Sequence, residues 1–285
     1  QTELLGLGHG HGAAAAAPRL GAGWRVSGTT RRPEKADRLR GEGVEALIWP
    51  GADLAPALAC ATHVLASISP DEAGDPVLAR HAGEIAAAAP HLEWVGYLST
   101  TGVYGDHAGG WVDETTPLRP TTKRGGQRVL AESQWQALAQ RANLPLHVFR
   151  LAGIYGPGRG PFEKVRSGTA RRIIKEGQFF SRIHVEDIAT VLAASIARPD
   201  PGAIYNVADD DPSPPEDVLA EAARLLGQPL PPEERFEDAR MSPLARSFYA
   251  ESKRVRNDRI KRDLGVRLAY PDYRAGLNAL LTAGD

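Results

Sequence analysis

One cysteine in 285 residues, Cys60, rules out an internal disulfide and fits a reducing compartment. It stands in the apolar run "LAPALACA", where a buried, inert thiol is expected rather than a nucleophile. No apolar run approaches the roughly 18–20 residues that cross a bilayer. The alanine run Ala13–Ala17 is short, has no basic stretch before it, and is not expected to be a signal peptide. A formal net charge of -1 leaves no overall field to draw nucleic acid or an anionic membrane. Repeats, low-complexity tails and long linkers are missing too. The expectation is a compact, cytoplasmic protein, long enough to bury a proper core.

What is present is alternation. "ELLGLG" reads as a strand, Ala13–Ala22 as a helix and "WRVSG" as a second strand. "PEKADRLRGEG" then reads as a charged helix before "VEALIW". "THVLASIS", "WVGYLST" and "PLHVFRLAG" are further β-rich runs separated by helical patterns. Strands alternating with helices of this length indicate crossover units and an α/β, doubly wound parallel sheet, which binds ligands at the carboxyl ends of its strands. After about Tyr155 the pattern loosens into loops, short strands and helices. The acidic run Asp209–Asp211 precedes a helix, where dipole complementation and solvation are expected rather than a metal site.

"LLGLGHGHGAAAAAPRL" sets a Gly-rich turn between the first strand and the first helix. Counted from Gly8 it fits G-x-G-x-x-A with Gly8, Gly10 and Ala13. The first glycine permits the tight turn, the second lets backbone approach a pyrophosphate, and the small third residue lets helix and strand pack closely. His9 and His11 sit on this turn. With no Cys/His/Asp cluster nearby they are expected to line the phosphate site or face solvent, and no metal is expected. At the end of the second strand, "SGTTRRPEK" puts Thr29, Thr30, Arg31 and Arg32 where an NAD-selective fold carries an acid. A carboxylate would repel a 2′-phosphate, whereas hydroxyls and guanidinium groups hydrogen-bond to it. The expected cofactor is therefore NADP rather than NAD.

"YLSTTGVYGD", "FRLAGIYGPGR", "SRIHVEDIA" and "AIYNVADD" closely resemble, in order and over nearly the whole chain, the extended short-chain dehydrogenase/reductase superfamily of NAD-dependent epimerase/dehydratase type. The resemblance implies a Rossmann domain over 1–155 and a smaller substrate region over 156–285, with the strand near 203–207 a candidate to return to the main sheet. It implies that Ser99 and Thr100 end the fifth strand beside the nicotinamide, Thr100 matching the family's catalytic Ser/Thr. Gly153 and Ile154 would lie near the carboxamide, and Ser67 and Pro70 on the adenosine side. Arg159 and Arg150 would face an anionic substrate group, with an ion pair at the core's edge the alternative for Arg150. Arg182 would reach the ligand, and Asp187 would cap or pair. The resemblance also implies a small-molecule substrate as partner and a monomer or homodimer.

Members of this family carry Tyr-x-x-x-Lys in the next helix. Here, counting back from Glu132 in "KRGGQRVLAE", Arg124 falls on the tyrosine position and Arg128 on the lysine position. Arginine stays protonated and cannot replace a phenol in acid–base work, but Arg128 can still be the cation that holds the coenzyme. Tyr104, Tyr155, Lys123 and His184 are the candidate proton carriers. Three readings stand. One is an atypical NADP-dependent oxidoreductase or epimerase/dehydratase-like enzyme acting on a sugar nucleotide or another small carbonyl or hydroxyl compound. The second is a catalytically silent NADP-binding sensor or scaffold. The third is a plain helix start with solvated arginines.

Overall fold

The computed structural model describes residues 1–8 and 10–284. Among them, seven parallel strands form the central sheet: β1 (Thr2–Leu7), β2 (Trp24–Thr30), β3 (Glu45–Ile48), β4 (His63–Ala66), β5 (Trp94–Thr100), β6 (Leu146–Leu151) and β7 (Ile204–Val207). Their spatial order is β3-β2-β1-β4-β5-β6-β7, with every neighbouring pair parallel. The order reverses between β1 and β4, which opens a crevice at the carboxyl ends of the strands. Nearly continuous apolar runs in β1, β4 and β5 follow from burial of both faces under helices.

The helices are α1 (His11–Ala16), α2 (Pro33–Gly41), α3 (Ala55–Cys60), α4 (Pro76–Ala88), α5 (Lys123–Ala142), α6 (Phe162–Arg166), α7 (Val185–Ala197), α8 (Pro215–Leu226), α9 (Pro243–Phe248), α10 (Asp258–Leu264) and α11 (Tyr273–Thr282). On one face of the sheet Leu4, Trp94, Phe149 and Tyr205 meet Ile188, Val191 and Leu192 of α7. On the other, Leu5, Val64, Tyr97 and Val148 meet Ile85 of α4 and Trp135 and Leu138 of α5. A third, smaller core joins Tyr155 to Phe162, Ala222, Ala223, Leu277 and Leu280 of α6, α8 and α11.

Two local expectations change. The helix foreseen over Ala13–Ala22 is α1 followed by a 3-10 turn at Ala17–Leu20, because Pro18 has no N–H to continue the α-helical ladder. Cys60 is exposed rather than buried. Leu54 and Leu58, four apart, face inward, and Cys60 lies about 200° around the helix from Leu58. Helix α7 packs on the sheet, and β7, the strand named as a candidate to return to it, pairs with β6, with Ile204 opposite Val148 and Val207 opposite Leu151.

Beneath the ends of β5, β6 and β7 lies a buried polar network. The Glu132 carboxylate, on α5, pairs with the Arg150 guanidinium on β6 and accepts from the Ser99 hydroxyl at 2.7 Å. Arg150 Nη1 donates to the Tyr104 hydroxyl at 3.1 Å, and that hydroxyl donates to Asn206 Oδ1, on β7, at 2.6 Å. Burial alone would lower the Arg150 pKa, but hydrogen bonds to Glu132 and its charge outweigh that and hold it above the usual value. Such a pair repays its desolvation only when every lone pair and N–H is used. Arg150→Met should therefore cost about 3–5 kcal/mol in urea unfolding, since it strands a buried carboxylate. Adding Glu132→Leu to the same chain should recover most of that loss. A single variant as stable as the unaltered protein would show that the pair does not hold the sheet to α5.

Candidate active site

The first strand ends at Leu7, and Gly8 turns the chain at φ +85°. Its N–H donates to Thr29 Oγ1 at 2.7 Å, and its carbonyl accepts from Ser67 Oγ. A Cβ here would lie 2.7 Å from Ile68 Cγ1, so both conformation and space demand glycine. Gly10, just before α1, lines the cleft above, and a Cβ there would meet nothing nearer than Ser67 Oγ at 4.0 Å. The space beside Gly10 is left open rather than packed. Ala13 is buried against the sheet, as a small third residue should be. His9 and the side chain of His11 lie outside the described residues. At the end of β2, Thr30 is buried and its hydroxyl accepts from Arg32 N–H at 3.4 Å, while Arg31 and Arg32 are exposed. Lys35 follows on α2, its pKa lowered by burial and by the nearby Arg38 and Arg32 charges. This edge is cationic.

A cleft of about 1430 Å³ opens over the carboxyl ends of the strands. Ser67, Pro70, Ser99, Thr100, Gly153 and Ile154 all line it. Ser99 is turned downward onto Glu132. Thr100 is half-buried, and its hydroxyl has no hydrogen-bond partner among the described residues. Arg128 is pinned at the wall, donating to the Leu98 carbonyl and the Tyr97 hydroxyl, both at 3.1 Å. Burial pushes the Tyr97 phenol up to about 12, so it meets Arg128 in its neutral form. Arg124 is exposed, stacks on the Phe248 ring at 4.5 Å and donates to Ser247 Oγ at 3.3 Å, both on α9.

Two site expectations fail on burial. Arg150, only 3% exposed, lies under the cleft floor with its guanidinium committed to Glu132 and Tyr104, so the ion-pair alternative is the one adopted. Tyr104, with no exposure, has its hydroxyl filled by Arg150 and Asn206, and burial pushes it up to about 12. Neither lines the cleft. Nor do Lys123, whose ammonium pairs with Glu72 at 2.7 Å, and His184, whose Nδ1 caps α7 by accepting from Glu186 N–H at 3.0 Å. Tyr155 does line it, but burial, then Asp209 and Asp187, raise its phenol pKa. Arg159 and Arg182 line it as well. Arg182 donates to the Phe180 carbonyl at 3.2 Å, and burial lowers its pKa. Asp187 accepts from Ala269 and Tyr270 N–H at 2.8 and 3.0 Å, tying α7 to the chain end. Lys164, Arg171, Arg240, Glu251, Lys253 and Phe248 also line the cleft and were not foreseen, since no spacing in the sequence joins them. Among the described lining residues, eight side chains are lysine or arginine and two are carboxylates, so the cleft suits an anion.

The family model for the NAD dependent epimerase/dehydratase family matches residues 12–208. A conserved protein of unknown function from Silicibacter pomeroyi DSS is 61% identical, with 99% of each chain covered and a TM-score of 0.95. Protein YeeZ of Escherichia coli (strain K12) is 28% identical over 266 residues, 88% of this chain and 89% of YeeZ. UDP-glucuronic acid 4-epimerase from Bacillus cereus, in complex with NAD, shares the fold at 13% identity and a TM-score of 0.78, covering 100% of both chains.

The acidic run behaves differently from expectation. Helix α8 starts at Pro215, so Glu216 and Asp217 serve its first turn. Asp209 is instead 1% exposed, its Oδ1 accepting from Asp211 N–H at 3.0 Å while Oδ2 has no partner among the described residues. Burial pushes its carboxyl up to about 8, against the pull of Arg182. A carboxyl raised in the folded state contributes stability at low pH and loses it as pH rises through the folded value. Asp209→Asn should therefore be more stable than the unaltered protein, by a margin that widens from pH 3.8 to about 8 and is level above. Parallel stability curves for the two proteins would show that Asp209 is charged throughout.

Proposed function

Since the chain belongs to the NAD dependent epimerase/dehydratase family, we propose that the cleft binds NADP and carries out oxidoreduction at a carbonyl or alcohol of a small anionic substrate, such as a sugar nucleotide. The observation that carries this reading is the unpartnered Thr100 hydroxyl, set in one cleft with the open backbone at Gly10 and a set of basic side chains. A hydroxyl in that place can hydrogen-bond to a substrate oxygen and polarise it.

The residues fit a nicotinamide dinucleotide. The turn that cannot carry a Cβ at Gly8, and the space left at Gly10, suit close approach of a diphosphate. Thr30, Arg31 and Arg32 supply a hydroxyl and two guanidinium groups for a 2′-phosphate, with no carboxylate in the turn from Thr29 to Arg32 to repel it. Arg128 supplies a fixed cation at the wall, and Gly153 and Ile154 supply backbone in the same cleft. When bound, the coenzyme would supply or accept the hydride. Arg159, Arg171 and Arg240, exposed on the far half of the cleft, would take the substrate's phosphates.

A second reading, NADP binding without turnover, draws support from Arg124. It stands where the family resemblance expects a tyrosine, and a guanidinium held by Ser247 and Phe248 cannot exchange a proton at neutral pH.

NADPH fluorescence should respond to the pure protein. The Arg31→Ala plus Arg32→Ala double variant should weaken NADPH binding about tenfold or more and leave NADH unchanged, as expected for lost charge-assisted bonds. Equal affinity of the unaltered protein for NADPH and NADH would refute the 2′-phosphate assignment. Against a panel of carbonyl compounds and sugar nucleotides, Thr100→Ala should lose turnover while NADPH affinity stays put. No oxidation of NADPH by the unaltered protein across the panel would favour the second reading.

A further inference from the structure

We propose that Lys253 is the proton carrier of this cleft, its ammonium donating to the oxygen of a substrate carbonyl and its amine recovering the proton in the reverse direction. The proposal rests on the oxidoreductase reading above.

Elimination comes first. Arg124 holds its proton, Tyr104 is sealed below the floor, Tyr155 resists ionisation, His184 caps a helix and Lys123 is turned to Glu72. Two lysines line the cleft among the described residues, Lys164 and Lys253. Lys164 is exposed on α6, whereas the Lys253 side chain is 12% exposed and its Nζ lies 3.4 Å from Glu251 Oε2.

Position comes next. The other Glu251 oxygen accepts from Thr121 N–H at 2.9 Å and from its hydroxyl at 2.6 Å. The neighbouring Thr122 caps α5 through Gly125 N–H at 3.0 Å. A Cβ on Gly125 would sit 3.0 Å from the Gly102 carbonyl, so the first turn of α5 abuts the turn that follows Thr100. Lys253 is thus tied, through Glu251, to the helix start that abuts the turn after Thr100. Its backbone is held as well: Ser252 N–H donates to Asp106 at 2.8 Å, and Ser252 Oγ to the Gly177 carbonyl at 2.6 Å.

The charges around it are Glu251 and Asp106, with Lys175 acting on Asp106. Burial lowers the Lys253 pKa from the ordinary lysine value, and the two carboxylates only partly restore it. A lysine brought toward the working pH can both give and take a proton, which Arg124 cannot. In the reductive direction one Nζ–H bond breaks and one O–H bond forms. The carbon of the same carbonyl takes up the hydride that the nicotinamide coenzyme supplies, so a ketone or aldehyde becomes an alcohol. Lysine is left as the neutral amine and is recharged from solvent at the cleft mouth.

Trace acetylation with acetic anhydride from pH 6 to 11, read peptide by peptide by mass spectrometry, tests the assignment without needing a substrate. Lys253 should react with a midpoint below those of the surface lysines Lys123 and Lys261. Glu251→Gln should move that midpoint lower still, because Glu251 raises it, and saturating NADPH should protect Lys253 several-fold. Lys253→Arg should bind NADPH within twofold of the unaltered protein yet lose turnover by about a hundredfold or more. If the unaltered protein does not bind NADPH, the oxidoreductase reading falls and this proposal with it. If NADPH binds but Lys253 acetylates alongside Lys261, or Lys253→Arg turns over at the full rate, this proposal alone falls.

Discussion

A carboxylate and a guanidinium, both taken out of water, decide where the chemistry of this cleft can stand. Glu132 and Arg150 join α5 to the ends of β5 and β6 through charge-assisted bonds that leave little angular freedom. One turn before Glu132, Arg128 then has to reach the Leu98 carbonyl, and one turn earlier Arg124 emerges at the cleft mouth. Ser99 is spent on this junction and Thr100, its neighbour, is not. The division between a structural hydroxyl and an available one follows from the alternation of side chains along a strand.

The cleft has two halves of different chemistry. The half proposed for the coenzyme is backbone and small side chains, Gly10 and Gly153–Ile154 among them. The far half is built from segments after Tyr155 and is rich in arginine and aromatic rings. A rigid parallel sheet holds the first half, and loops around the small third core hold the second. That arrangement would let loop sequence vary the proposed substrate while the sheet holds the proposed coenzyme half.

Much of this was legible in the sequence, and for physical reasons. Strand–helix alternation requires a parallel sheet, and Gly8 and Gly10 stand at a turn whose backbone admits nothing larger at Gly8. The motifs around Thr100 and Gly153 marked two stretches that line the cleft. What stayed hidden depended on contacts distant in the chain. An arginine at a strand end looks the same whether it meets a ligand or, like Arg150, a buried glutamate from another element. Tyr104 looks like a free phenol until Asn206, 102 residues on, takes its hydroxyl. Cys60 sits in a run too uniformly apolar to reveal which face is inward. Lys253 and Glu251 belong to no motif, and only folding brings them against Thr121, 130 residues earlier than Glu251.

The stacking of Arg124 on Phe248 has an energetic corollary. Guanidinium groups gathered on facing walls repel one another, and a ring face is one of the few uncharged partners that can quiet such a group. The described lining of this cleft carries eight lysine or arginine side chains against two carboxylates, an excess of positive charge. Dissolved salt relieves it over a screening length of about 8 Å at physiological strength. A multivalent anion would offset that charge directly, at the walls where α5 and α9 already meet through Arg124.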